Sequence, residues 1–271
     1  MKTAQKLRQP KAGAHIPADK PIKGEKPVEV PLFEARNITK RYGSFVALND
    51  MNFHIGHNEV VGLLGDNGAG KSTLVKMISG INPPTSGDIY VDGKKTDIRN
   101  RSDSEAAGIE TIYQDIALVD SMSITRNIFM GREITNRWGF MDHAKMQEVA
   151  IDILGSAVQI SGIDDPGKEV GFLSGGQKQA VAIARAVHFK RKMLLLDEPT
   201  SALSVRETEH LLAYVRDLKK EGTSSVLVTH NLYHAFMVCD RFVVMSHGKK
   251  VFEARKGDTT IEEVTDHVIR T

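Results

Sequence analysis

Residues 58–64 place four aliphatic side chains, Val60, Val61, Leu63 and Leu64, close together. A run this short and this apolar predicts a strand buried on both faces. Residues 193–196, 225–228 and 242–245 repeat the pattern. The stretches between them carry apolar residues at helical spacing. The pattern predicts helices from about 71 to 79, ended by Gly80 where a helix takes its terminal glycine, and over 174–188 and 204–221, the last closed by Gly222. Nearer the start, residues 32–37 and 45–55 have strand-like spacing, 83–87 read as a turn, and 89–91 and 110–114 as short strands. From about 115 to 170 the character changes: 125–130 and 144–154 are helical by pattern, with a loop over 135–140. Strands alternating with helices imply an α/β fold, a mostly parallel sheet with helices on both faces. No internal repeat is present, so one such unit is expected.

Charge and composition exclude several classes. The chain has 271 residues, 41% of them apolar, and a formal net charge of +2. That is enough for one core with a smaller lobe, and it lacks the basic excess of a nucleic-acid binder. No apolar run approaches the roughly 18 residues that a membrane span requires, so any membrane passage must be supplied by another chain. The single cysteine, Cys239, forms no internal disulfide and fits a reducing compartment. Residues 1–31 carry Lys, Pro and Ala without an apolar stretch, and are expected to be a disordered basic tail.

The run Gly65-Asp66-Asn67-Gly68-Ala69-Gly70-Lys71-Ser72-Thr73 matches G-x-x-x-x-G-K-[ST] between a buried strand and a helix. Glycines let backbone N–H groups curl around a phosphate, and the helix start adds positive partial charge. Lys71 is then expected to reach the β- and γ-phosphates and Ser72 to ligate Mg2+, which makes ATP and Mg2+ the expected ligands. The apolar run at 193–196 ends in Asp197-Glu198. Strand C-termini of a parallel sheet are where ligands bind. Asp197 is expected to hold Mg2+ through its water shell, and Glu198 to act as general base on the attacking water.

A phosphate loop also serves kinases, GTPases and helicases. No N-K-x-D guanine-reading motif is present. Leu173-Ser174-Gly175-Gly176-Gln177 lies one helix before Asp197-Glu198. By itself it is a capping box, Ser174 with Gln177, whose two glycines leave N–H groups bare for an anion. It also resembles the signature motif of ABC transporter ATPases, and the span from about 32 to 247 is similar to such a domain throughout. The resemblance implies a P-loop nucleoside triphosphate hydrolase core, an N-terminal antiparallel β subdomain and a helical subdomain at roughly 115–172, all within one domain over 32–271. It also implies a head-to-tail dimer in which Ser174, Gly175, Gly176 and Gln177 close on the nucleotide of the other subunit. Tyr42 resembles the aromatic that stacks on adenine. Gln114 resembles the glutamine that contacts Mg2+ and water, and His230 the switch histidine that senses the γ-phosphate. His188 and His234 have no such placement and read as structural. One position departs from the family pattern: Ser204 stands where most members have aspartate, and with Glu207 it forms a capping box. The departure puts the usual cross-dimer contact of that loop in doubt.

The stretches 65–67, 108–114, 127–133, 201–205 and 229–231 resemble the ATPases of ribose-, xylose- and fructose-type importers. Many of those carry two cassettes; this chain carries one, so the resemblance implies pairing with itself. It further implies an integral membrane permease as partner, a periplasmic or extracellular sugar-binding protein acting through it, and a peripheral place on the cytoplasmic face of the inner membrane, with no nucleic acid. A non-sugar importer, an exporter and a soluble non-transport ABC ATPase are the alternatives.

Overall fold

The computed structural model describes residues 30–113, 118–157, 163, 165–188, 191–201 and 203–270. The tail expected at 1–31 lies outside these apart from Val30 and Pro31. In chain order the first elements are β1 (Phe33–Tyr42), β2 (Phe45–Ile55), β3 (Val60–Leu64), α1 (Lys71–Ile78), β4 (Ser86–Val91), β5 (Lys94–Lys95), α2 (Arg101–Ala106) and β6 (Ile109–Ile112). Then come α3 (Ile124–Phe129), α4 (His143–Ala157), α5 (Gly175–His188), β7 (Met193–Asp197), α6 (Val205–Lys220) and β8 (Ser224–Val228). The chain closes with α7 (Leu232–Val238), β9 (Arg241–Ser246), β10 (Lys249–Arg255) and α8 (Ile261–Ile269).

Two sheets form. One is antiparallel, in the order β2-β1-β4-β5, and is the N-terminal β layer. The other runs β10-β9-β3-β8-β7-β6. Its strands are parallel except β10, which pairs antiparallel with β9. The strands read as uniform apolar runs sit where that pattern demands: β3 lies between β8 and β9, and every residue of β3, β8 and β9 is buried.

Three apolar clusters follow from this layering. The first fills the space between the two sheets and takes Leu74, Val75, Met77 and Ile78 from α1. The second covers the other face of the parallel sheet with Leu211, Leu212, Val215 and Leu218 of α6, Ala235 and Val238 of α7 and Val264 of α8. The third belongs to a helical lobe, where Ile128 and Phe129 of α3, Met146 and Ala150 of α4, and Val181 and Ala184 of α5 pack together. At the seam of the sheets, Arg241 is only 5% exposed and donates to both Glu59 oxygens (2.8 and 2.9 Å), to Glu253 and to the His54 carbonyl. A buried guanidinium requires such full pairing.

The structure differs from the sequence reading in several elements. The first strand continues to Tyr42, so that residue ends a strand and does not sit in a loop. Ser86 and Gly87, read as turn, open β4. Helices α2, α7 and α8 and strand β10 had not been anticipated.

Candidate functional site

The phosphate loop is set by what surrounds it. Gly65 has φ +141°, and a Cβ there would lie 2.3 Å from the Met245 carbonyl, so β9 approaches too closely for any side chain. The turn after β9 braces the loop: Gly248 N–H donates to Ala69 O (2.9 Å), and Asn49 N–H donates to Gly248 O (3.0 Å). Gly70 heads α1 with φ +103° and no side-chain cap, and the first turn of α1 holds no acidic residue. Its N–H groups therefore meet no side-chain acceptor. A cavity of about 230 Å3 opens over this turn, lined by Phe45, Ala47 and residues 67–73.

Lys71 folds back over its own loop. It is 9% exposed, and Nζ donates to Gly65 O (2.7 Å) and Asp66 O (2.9 Å). Burial pushes its pKa down, while the charges of Glu198, Asp66 and Asp197 oppose that shift. The carboxylates arrive on the parallel sheet. Asp197 ends β7 beside β8, and burial, with the neighbouring Glu198 charge, raises its pKa while Lys71 lowers it. Glu198 leaves the strand with φ +49°, a left-handed backbone unusual for a residue with a side chain. Its N–H is held by Val228 O at 3.0 Å, and Ser201 Oγ donates to its carbonyl at 3.0 Å. The carboxylate meets His230, just past β8: Nδ1 lies 3.0 Å from Oε1. Oε2, which is buried, lies equally 3.0 Å from Nδ1, so the imidazole faces both carboxylate oxygens. The His230 side chain itself is 76% exposed.

Lys71, Asp197, Glu198 and His230, each singled out in the sequence, therefore meet at the C-terminal ends of β3, β7 and β8. The other candidates are placed differently. Gln114 lies outside the described residues. Ser174 and Gln177 form the capping box of α5: Gln177 N–H donates to Ser174 Oγ (3.2 Å), and Ser174 N–H to Gln177 Oε1 (3.0 Å). None of the residues 174–177 lines the phosphate cavity of this chain. Gly176 is buried against α6, where an added Cβ would lie 2.2 Å from Glu207 Oε1. Glu207 in turn accepts from Ser204 N (2.9 Å) and Ser204 Oγ (2.7 Å). The residue that departs from the family pattern is thus joined, through one carboxylate, to the signature glycine of the same chain. Tyr42 does not line the cavity. Its hydroxyl accepts from Asn82 Nδ2 at 3.0 Å, and Lys40 Nζ lies 5.2 Å from its ring centroid. The sequence reading passed over Phe45 and Ala47, which do line it. In the sequence Phe45 is only an aromatic two residues beyond Gly43 at the start of a strand, which does not mark it. His234 contacts Thr200 Oγ1 (3.3 Å) and Asn231 Nδ2 (3.2 Å), and His188 packs edge-on against Phe129.

Comparison with known proteins agrees with this geometry. Residues 48–201 match the ABC transporter family model. The xylose/arabinose import ATP-binding protein of Sulfolobus acidocaldarius is 47% identical over 87% of this chain and 92% of its own length. The fructose import ATP-binding protein of Rhizobium meliloti is 38% identical over 86% of this chain and 92% of its own length. A ribose import ATP-binding protein of Burkholderia cenocepacia is 36% identical, and there the chain spans 46% of the relative. Among solved structures, a nucleotide-free ATP-binding cassette from an ABC transporter superposes with a TM-score of 0.76 at 25% identity, covering 89% of this chain and 96% of that one. A dimeric cassette in a post-hydrolysis state, bound to ADP and phosphate, gives 0.71 at 26% identity over 83% of this chain and 98% of that one. The phosphate loop, the paired carboxylates and these likenesses converge, and the chain belongs to the ABC transporter family as one of its ATP-hydrolysing cassettes.

Proposed function

We propose that this cassette powers import of a monosaccharide through a separate membrane permease, working as a dimer at the cytoplasmic face of the membrane. The likeness to proteins named for xylose, fructose and ribose import is the observation that carries the sugar reading. No helix among the described residues is long and apolar enough to cross a membrane, so the channel would belong to the partner.

The residues of the site divide the chemistry. Residues 65–70 and the first turn of α1 offer N–H groups to the phosphates of ATP. Lys71 exchanges its two loop carbonyls for phosphate oxygens, which satisfy a buried ammonium better because they are charged. Ser72 and Asp197 fit a Mg2+ ion: both are hard oxygen donors. Bound there, Mg2+ would offset phosphate charge. Glu198 accepts the proton as water attacks the γ-phosphorus and the bond to the β–γ bridging oxygen breaks, releasing ADP and phosphate. His230 orients Glu198 through Nδ1, which lies 3.0 Å from both carboxylate oxygens. Ser174–Gln177 of the second copy would complete each site, since those residues do not line the cavity of their own chain. Gln114 would link the site to the helical lobe.

Recovery of the tagged chain from native membranes tests the proposal. A polytopic permease with a sugar-binding protein is the expected company. Recovery only from the soluble fraction, with ribosomes or DNA attached, would overturn the transport reading and leave the ATPase intact.

A further inference from the structure

Phe45 is 64% exposed and is the largest apolar residue lining the phosphate cavity. What sets this exposed ring apart is its place at the mouth of the cavity over residues 67–73. In the β1–β2 register, Phe45 pairs directly with Tyr42. Residues opposite one another in an antiparallel pair project from the same face of the sheet. Ala47, two residues along β2 at a register shift of the ladder, lines the same cavity and is buried. Its carbonyl stands 3.0 Å from where a Cβ on Gly70 would be, so the strip begins at the phosphate loop itself. Ala47, Phe45 and Tyr42 thus lead outward from the phosphates in that order. Tyr42 is tied to Asn82 and lies under Lys40; Phe45 has no such tie among the described residues.

We propose that Phe45 is a second aromatic contact for the nucleoside, so that the purine of ATP rests on a wall of two rings and not on Tyr42 alone. This rests on the reading of residues 65–73 as the ATP phosphate site. Stacking on an aromatic is sequence-tolerant, and its strength grows with ring overlap, so a longer wall favours a purine over a pyrimidine.

The test compares ATP, CTP and inorganic tripolyphosphate, each with Mg2+, by calorimetry on the full chain. Phe45→Ala is expected to weaken ATP about 5–20-fold, to narrow the preference for ATP over CTP, and to leave tripolyphosphate within about twofold. Phe45→Tyr should keep wild-type ATP affinity. Thermal melting checks that the exposed ring is not needed for folding. Wild-type ATP affinity in Phe45→Ala, or an equal loss for ATP and tripolyphosphate, would overturn the proposal. Lys71→Ala separates the two layers: if it changes neither ligand, the phosphate-site reading falls and Phe45 falls with it.

Discussion

A left-handed backbone at a non-glycine residue costs about 1–3 kcal/mol and persists where its surroundings over-determine it. Glu198 is held in that state by Val228 O and Ser201 Oγ, and the turn presents its carboxylate to His230. Glu198→Gln keeps the shape and removes the proton acceptor. It is expected to bind ATP as the native chain does and to lose about 100- to 10,000-fold in turnover; a phosphate-release assay beside an ATP-binding isotherm measures both, and full turnover would remove Glu198 from its role. Asp197 carries a different cost. Its pKa is raised, chiefly by burial, so the folded state bears a penalty for its charge above that raised value, and the penalty vanishes below the ordinary 3.8, where both states are protonated. Asp197→Asn should therefore stabilise the chain at pH 7, raising Tm by about 2–4 °C for each 1 kcal/mol relieved, while abolishing ATP hydrolysis. The gain should fade as the pH is lowered through the raised pKa and be gone below 3.8. A lower Tm at pH 7 would contradict this account of the burial. These positions were legible in the sequence because the phosphate-loop pattern gives two carboxylates after an apolar strand a meaning that they lack alone. Phe45 was not legible, because its meaning depends on which face of a hairpin lies toward a loop more than 20 residues away.

The elements read correctly are those whose burial is uniform or whose ends are marked. Strands β3, β7, β8 and β9 bury nearly every residue, so their apolar runs stand out. Helix α6 is announced by its Ser204 cap and ended near Gly222. Strand β10 was missed because it is an edge strand whose Lys, Glu and Arg residues hide the alternation. Helices α2 and α7 are short, six and seven residues, and are set by caps at Asn100 and Asn231 more than by periodicity. The structure also joins two stretches that the sequence offered separately. Glu110 of β6, 4% exposed at its side chain, accepts from Arg132 past α3 (3.0 Å) and from Arg191 before β7 (3.2 Å), with Arg101 of α2 at 3.5 Å. Arg132 also reaches Glu105 at 2.7 Å. The segment leading to Gln114 is thereby tied to the helical lobe. Removing one partner of a buried pair leaves the others uncompensated, so Glu110→Ala should lower stability by about 3–5 kcal/mol in urea unfolding. Lys145 and Glu148 form a surface pair, and Glu148→Ala should cost less than about 1 kcal/mol. Equal losses would mean that the buried network holds nothing together.

At the scale of the whole molecule, the phosphate cavity and Ser174–Gln177 lie on one chain but do not meet there. Gly176 packs closely against Glu207 of α6, which leaves no room for a side chain there. Completion by a second copy predicts a specific behaviour of mixtures. Lys71→Ala spoils the phosphate side of a site, and Ser174→Arg spoils the signature side. Either variant alone should be nearly inactive, because in a homodimer of each kind both sites carry the defect. In an equal mixture about half of the dimers pair one of each, and a head-to-tail arrangement gathers both defects into one site and leaves the other intact. The mixture should then regain up to about one quarter of native ATP hydrolysis, since half of the dimers each hold one sound site of two. The recovery should rise with total protein concentration, as a second-order encounter requires, and disappear when the chains are held dilute. A mixture no more active than its parts at any concentration would mean that the site is not shared between chains in this way. A single chain active by itself at high dilution would mean that the signature reaches its own nucleotide after all.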